Sequence, residues 1–108
     1  MKKKGKQQNY DYQFMVDFTL PEVLTEEFMS LIPHQRASVN QFFTDGKLVN
    51  YALSLEESKL WAVFNANSEL EVMELIVEMP LAKFMEIRIS MLTFYNTSKE
   101  QMPAFSMN

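Results

Sequence analysis

The sequence predicts a ferredoxin-like α+β fold, with the order β-α-β-β-α-β, an antiparallel four-stranded sheet and both helices packed on one face. Three features carry the prediction. Tyr12 to Thr19 alternates apolar and polar residues with a strand period. Trp61-Ala62-Val63-Phe64-Asn65 reads as a buried strand, followed by the helix start Ser68-Glu69-Leu70-Glu71 and the stop Met79-Pro80-Leu81. A strand-helix-strand unit in the first half matches a second one in the other half, and two such units leave one sheet face open to a partner subunit.

In the first strand Tyr12, Phe14, Val16 and Phe18 take one side and Gln13, Met15, Asp17 and Thr19 the other. Leu20-Pro21-Glu22 breaks it. Thr25 then starts a helix whose Glu26 and Glu27 suit the positive end of the macrodipole. Phe28, Leu31, Ile32, Val39, Phe42 and Phe43 recur at helical spacing up to Asp45-Gly46, where glycine can adopt the left-handed end conformation. Pro33 lies inside this pattern and predicts a kink, or two abutting helices, near Ile32. The second strand runs from Lys47 to about Ser54 and the third from Lys59 to Asn65. The turn Glu56-Glu57-Ser58 makes them an antiparallel hairpin. Ser68 and Glu71 form a capping box, with Leu70, Met73, Ile76 and Val77 expected as the buried stripe and Glu69, Glu71, Glu74 and Glu78 as the wet one. A fourth strand is expected over about Met85 to Phe94.

The chain has 108 residues, enough for a single core. It divides into a basic leader, 1–11, a folded region, 12–95, and a tail, 96–108. Lys2, Lys3, Lys4 and Lys6 give the leader the character of a solvated tail, with a weak electrostatic arm as the alternative. Between Tyr12 and Tyr95 five basic residues face twelve acidic ones, a balance of −7 that would repel a phosphate backbone and argues against nucleic acid as the main partner. Cysteine is absent, which excludes disulfides, thiolate metal sites and thiol nucleophiles, and the lone His34 excludes multi-histidine metal sites. With only Gly5 and Gly46, no glycine-rich phosphate loop can form. No apolar run approaches the ~20 residues that span a bilayer, and no signal-peptide core follows the lysines. The expectation is a cytoplasmic protein without membrane contact.

On Trp61, Val63-Phe64-Asn65, Ser68, Pro80-Leu81, Phe84-Met85 and the Glu86-Ile87 strand, the chain resembles muconolactone isomerase and its relatives among the dimeric α+β barrels. The match runs over about Gly46 to Leu92, with looser agreement from Tyr12 to Leu20-Pro21. The resemblance implies a homo-oligomer, a dimer or larger ring in which two sheets close a barrel. It also implies a cofactor-free and metal-free proton shift in a small lactone carboxylate, within aromatic catabolism. That chemistry needs a base beside an acidic carbon, and donors or cations that stabilise the enolate-like charge. The family pattern places a carboxylate-lysine pair on the first helix and a histidine near the start of the third strand. Gln35, Arg36 and Glu57 occupy these positions here, so the cationic role passes to Arg36 and the base has no direct heir.

Residue by residue, the expected catalytic set is Asp17 as base, with Arg36 or Arg88 anchoring a carboxylate. Asp17 and Arg88 would project from the open sheet face, as an interface ion pair or as an acid-base pair. The expected ligand-binding set is His34, Gln35, Asn50, Tyr51 and Trp61. His34 is the one imidazole but points away from the apolar stripe. Gln35 falls on that stripe, where it would satisfy a backbone group or line a pocket. Tyr51 and Trp61 can stand on either hairpin face, as core or subunit contact or as a pocket wall. Asn50 would orient a ligand carbonyl or solvate a cavity. The expected ligand is small and anionic or carbonyl-bearing. The alternative functions are cofactor-independent oxidation of electron-rich aromatics, monooxygenase-like, and a non-catalytic oligomeric ligand-binding module.

Overall fold

A computed structural model describes residues 12–96. The expectations for the leader, 1–11, and for the tail beyond Asn96 lie outside these residues. Strand β1 is Tyr12–Thr19; helices α1, Glu26–Ser30, and α2, Ile32–Thr44, follow it; strands β2, Leu48–Ser54, and β3, Lys59–Ala66, form the hairpin. Helix α3 is Glu69–Val77, a 3-10 turn spans Ala82–Phe84, and β4 is Glu86–Met91. The sheet is fully antiparallel in the order β2-β3-β1-β4, the ferredoxin-like arrangement. No helix among the described residues is long and apolar enough to cross a membrane.

Phe14, Val16 and Phe18 are buried beneath the helices, as their alternation predicts, and join Leu60, Ala62 and Phe64 of β3 in the core. The helical segment is broken where Pro33 predicts: α1 ends at Ser30, and α2 begins at Ile32 with proline in its first turn, where the missing N–H has no acceptor to lose. At the other end of α2, Gly46 has φ 74°. Its N–H donates to the Phe43 carbonyl (3.1 Å) and the Lys47 N–H to that of Phe42 (2.9 Å), so the last turn closes as a Schellman motif. Ser68 caps α3 by accepting the Glu71 N–H at 3.1 Å. The Glu71 carboxylate reaches back to the Asn67 N–H at 2.6 Å, one residue earlier than an ideal capping box requires.

Two expectations are corrected, one about burial and one about length. Helix α3 turns Val72, Leu75 and Ile76 inward, followed by Met79, whereas Leu70 is 68% exposed, Val77 80% and Met73 half-exposed. The sequence carries two overlapping stripes at helical spacing, 70/73/76/77 and 72/75/76/79, and the structure uses the second. The second also continues past the helix end into the buried turn Met79-Leu81. Strand β4 is shorter than expected, although the Leu92 N–H still donates to the Gln13 carbonyl at 2.8 Å. As an edge strand it leaves Ile87 exposed, and only Ile89 packs against the core.

One irregularity governs the hairpin. Leu48 pairs with Phe64 and Asn50 with Val63, so Val49 is an extra residue, a β-bulge in β2. Side-chain alternation skips it. Leu48 and Tyr51 consequently share the helix side, while Asn50 faces outward.

Candidate functional site

Between α2 and the hairpin lies a cleft of about 580 Å³. Leu20 and Leu24 after β1, Phe28 and Met29 of α1 and Val39 of α2 give it apolar walls. Leu53, Leu55 and Leu60 close it on the hairpin side. Leu24, Met29, Phe43, Leu53 and Leu55 are all exposed large apolar residues, and they ring its mouth. The polar groups in this lining are Gln35, Arg36, Asn40 and Tyr51. An apolar concavity with a few convergent polar groups is the usual form of a small-molecule site. A second groove, of about 670 Å³, runs between α3 and β4, but Glu69 and Lys83 are its charged residues and it holds no buried polar side chain.

Gln35 is the one buried polar residue among those described, at 4% exposure. Its Oε1 accepts the Leu81 N–H at 3.0 Å, and its Nε2 donates to the Tyr51 hydroxyl at 2.9 Å. Both roles weighed for this glutamine are realised together: it satisfies a backbone group and lines a pocket. Burial pushes the Tyr51 phenol above its ordinary pKa, and the hydrogen bond from Gln35 opposes this without cancelling it. Tyr51 is therefore a neutral hydroxyl near pH 7. Arg36, one residue along α2, is the sole charged side chain in the lining, and it makes no salt bridge among the described residues. Arg36 is exposed, and a cation on the wall of an apolar cleft in an otherwise acidic body favours an anionic ligand.

The structure does not bring the expected catalytic set together. Arg36 lies on the helix side, whereas Asp17 and Arg88 are register partners on the opposite face of the sheet. The anticipated Asp17–Arg88 ion pair is replaced: Asp17 takes Lys59 at 3.0 Å, and the same ammonium donates to Thr19 at 2.9 Å. Lys59 sits opposite Thr19 on β3, so its long side chain reaches Asp17 diagonally. Of the expected ligand-binding residues, Gln35 and Tyr51 meet in the cleft. His34 is exposed on α2, outside the lining. Trp61 is half-buried on the outer sheet face between Asp17 and Ala52. Asn50 also faces outward and is hydrogen-bonded to the Tyr95 hydroxyl. The residues that follow β4 thus cross the outer face, and Val63, the register partner of Asn50, is completely buried there.

The bulge decides which hairpin residue enters the cleft. Regular alternation from Leu48 would have presented Asn50 to the helices and turned Tyr51 away. Deleting Val49 is expected to remove the bulge while keeping every pairing on either side of it. Tyr51 should still face Gln35, and NOE contacts between the two side chains in the deletion variant check this.

The model of one protein family, described as muconolactone delta-isomerase, matches residues 11–98. No curated protein matches the chain.

Proposed function

We propose, from the premise that the chain belongs to the muconolactone delta-isomerase family, that it moves a proton within a small lactone carboxylate held in the cleft between α2 and the hairpin. The observation that carries this reading is an apolar cleft lined both by Arg36, which makes no salt bridge among the described residues, and by a Gln35-held Tyr51. Arg36 anchors the carboxylate. The Tyr51 hydroxyl donates to the lactone carbonyl oxygen, where negative charge grows as a C–H proton leaves, and apolar walls increase the worth of that hydrogen bond. The proton returns at a different carbon of the enolate and the double bond moves. No electron is gained or lost, so the reaction needs no redox cofactor.

The lining contains no carboxylate or imidazole. The role of base is assigned to Glu57, which stands where the family pattern has its histidine, on the turn that follows the cleft residue Leu55. That turn is tied to the segment after β1 by the Leu20 N–H to the Ser58 carbonyl at 3.0 Å. Asp17, Lys59 and Arg88 are assigned to a subunit contact across the outer sheet face, in the oligomer that the family implies, and not to catalysis.

The test is proton NMR of muconolactone in D2O with the purified protein. Wild type is expected to isomerise the lactone with deuterium incorporated at the carbon that receives the proton. Arg36→Met should raise KM at least about tenfold, the loss of one charge-assisted contact. Turnover by Arg36→Met indistinguishable from wild type would remove the anchor from the proposal. The missing carboxylate also favours a second reading, a non-catalytic binding module. It predicts that the saturated lactone acetate binds while muconolactone stays unlabelled.

A further inference from the structure

We propose that Gln35 is a positioning residue that, by occupying the Tyr51 oxygen as an acceptor, leaves the phenol proton as the group offered to the cleft, so that the site favours ligands presenting an acceptor oxygen there over those that lack one. The inference rests on the reading of this cleft as the ligand site, and it adds the chemical class of group that Tyr51 admits.

The direction of the bond follows from elementary inventory. A backbone N–H can only donate, so the end of the Gln35 amide that meets the Leu81 N–H at 3.0 Å is its oxygen. The other end, at 2.9 Å from the Tyr51 oxygen, is the NH2 group, which can only donate. Gln35 is almost fully buried, so neither end can exchange its partner for water. Tyr51 thus has one lone pair occupied and its single proton uncommitted: among the described residues no hydrogen bond takes that proton. The ring lies in the cleft wall, and the hydroxyl proton is free to meet a bound carbonyl or enolate oxygen. A ligand group that can only donate, such as an ammonium or an amide N–H, leaves that proton without an acceptor. The support comes from across the fold, since Leu81 follows the α3 stop and Tyr51 follows the β2 bulge.

Gln35→Glu tests the direction. It keeps an oxygen for the Leu81 N–H and replaces the NH2 with a second oxygen, which captures the Tyr51 proton. Two non-reacting probes report on selection: 5-oxotetrahydrofuran-2-acetate, with a lactone carbonyl, and tetrahydrofuran-2-acetate, without one. Wild type is expected to prefer the first by about tenfold, the worth of one well-placed hydrogen bond. Gln35→Glu and Tyr51→Phe should both reduce that preference below about twofold. In Gln35→Glu, with tyrosine labelled at Cζ, the Tyr51 phenol should titrate about one pH unit or more above wild type, a shift a purely structural glutamine would not produce. Should the buried carboxylate prevent folding, the side-chain NH2 resonance of Gln35 decides instead, because it should move in Tyr51→Phe. An unshifted Gln35 resonance, an unchanged phenol titration, or a lactone preference that survives Gln35→Glu overturns the proposal. Discrimination between the probes without isomerisation of muconolactone would defeat the isomerase reading alone.

Discussion

Phe64→Ala is expected to destabilise the protein by about 3–5 kcal/mol, the cost of a large cavity in a core that cannot collapse around it. Phe64 has no exposed surface and lies on the inner strand β3, flanked in register by Phe14 of β1 and Leu48 of β2. Its ring meets Phe42 of α2 edge to face, with centroids 6.0 Å apart at 73°. Truncation therefore loosens three strands and the main helix together, and about 0.5–1.5 kcal/mol of the loss is the ring pair itself. Against a typical domain stability of ~5–15 kcal/mol, this change alone brings the chain near its unfolding threshold. Urea denaturation of the variant measures it, with Val77→Ala, on the exposed side of α3, expected within about 0.5 kcal/mol of wild type. A Phe64→Ala loss under about 1 kcal/mol would mean that the hairpin and α2 do not share one core.

Tyr51→Phe is expected to lower kcat for the lactone by about a hundredfold or more while raising KM by no more than about tenfold. The ring stays and the wall is unchanged, but the donor proposed for the developing oxyanion is gone. Removing one such donor costs about 2.7–4 kcal/mol of transition-state stabilisation. The split between kcat and KM is the informative part, because a wall contact would act on both substrate and transition state. A variant that turned over within about threefold of wild type would show that the phenol only fills space.

The first strand and the helix ends were legible because each has a local cause. Alternation from Tyr12 to Thr19 fixes the face of Phe14, Val16 and Phe18. Pro33 places the break between α1 and α2, Gly46 the turn out of α2, and Ser68 the start of α3. The strand order follows from two such units once the hairpin is recognised. The face of α3 was not legible, because Leu70, Met73 and Val77 have the same spacing as the residues that became core. Only the docking of the helix on the sheet breaks that tie. Asp17 and Arg88 were expected on one sheet face as a pair, and they are register partners there, but the diagonal partner that takes Asp17, Lys59, was invisible until the strands were aligned. The cleft was half legible: Gln35 drew notice as a polar residue on an apolar stripe. Its partner Tyr51 could not be given a side, since no glycine or proline in β2 announces the bulge at Val49.

That bulge gives the cleft an unusual route to change. Ironing it flat with Val49 retained would rotate the strand by one residue and exchange the phenol of Tyr51 for the carboxamide of Asn50, a group that both gives and receives hydrogen bonds. On the proposed reading of the cleft, ligand preference is thus encoded partly in the parity of a strand. An odd insertion near Asn50 would rewrite that preference without a single substitution in the pocket.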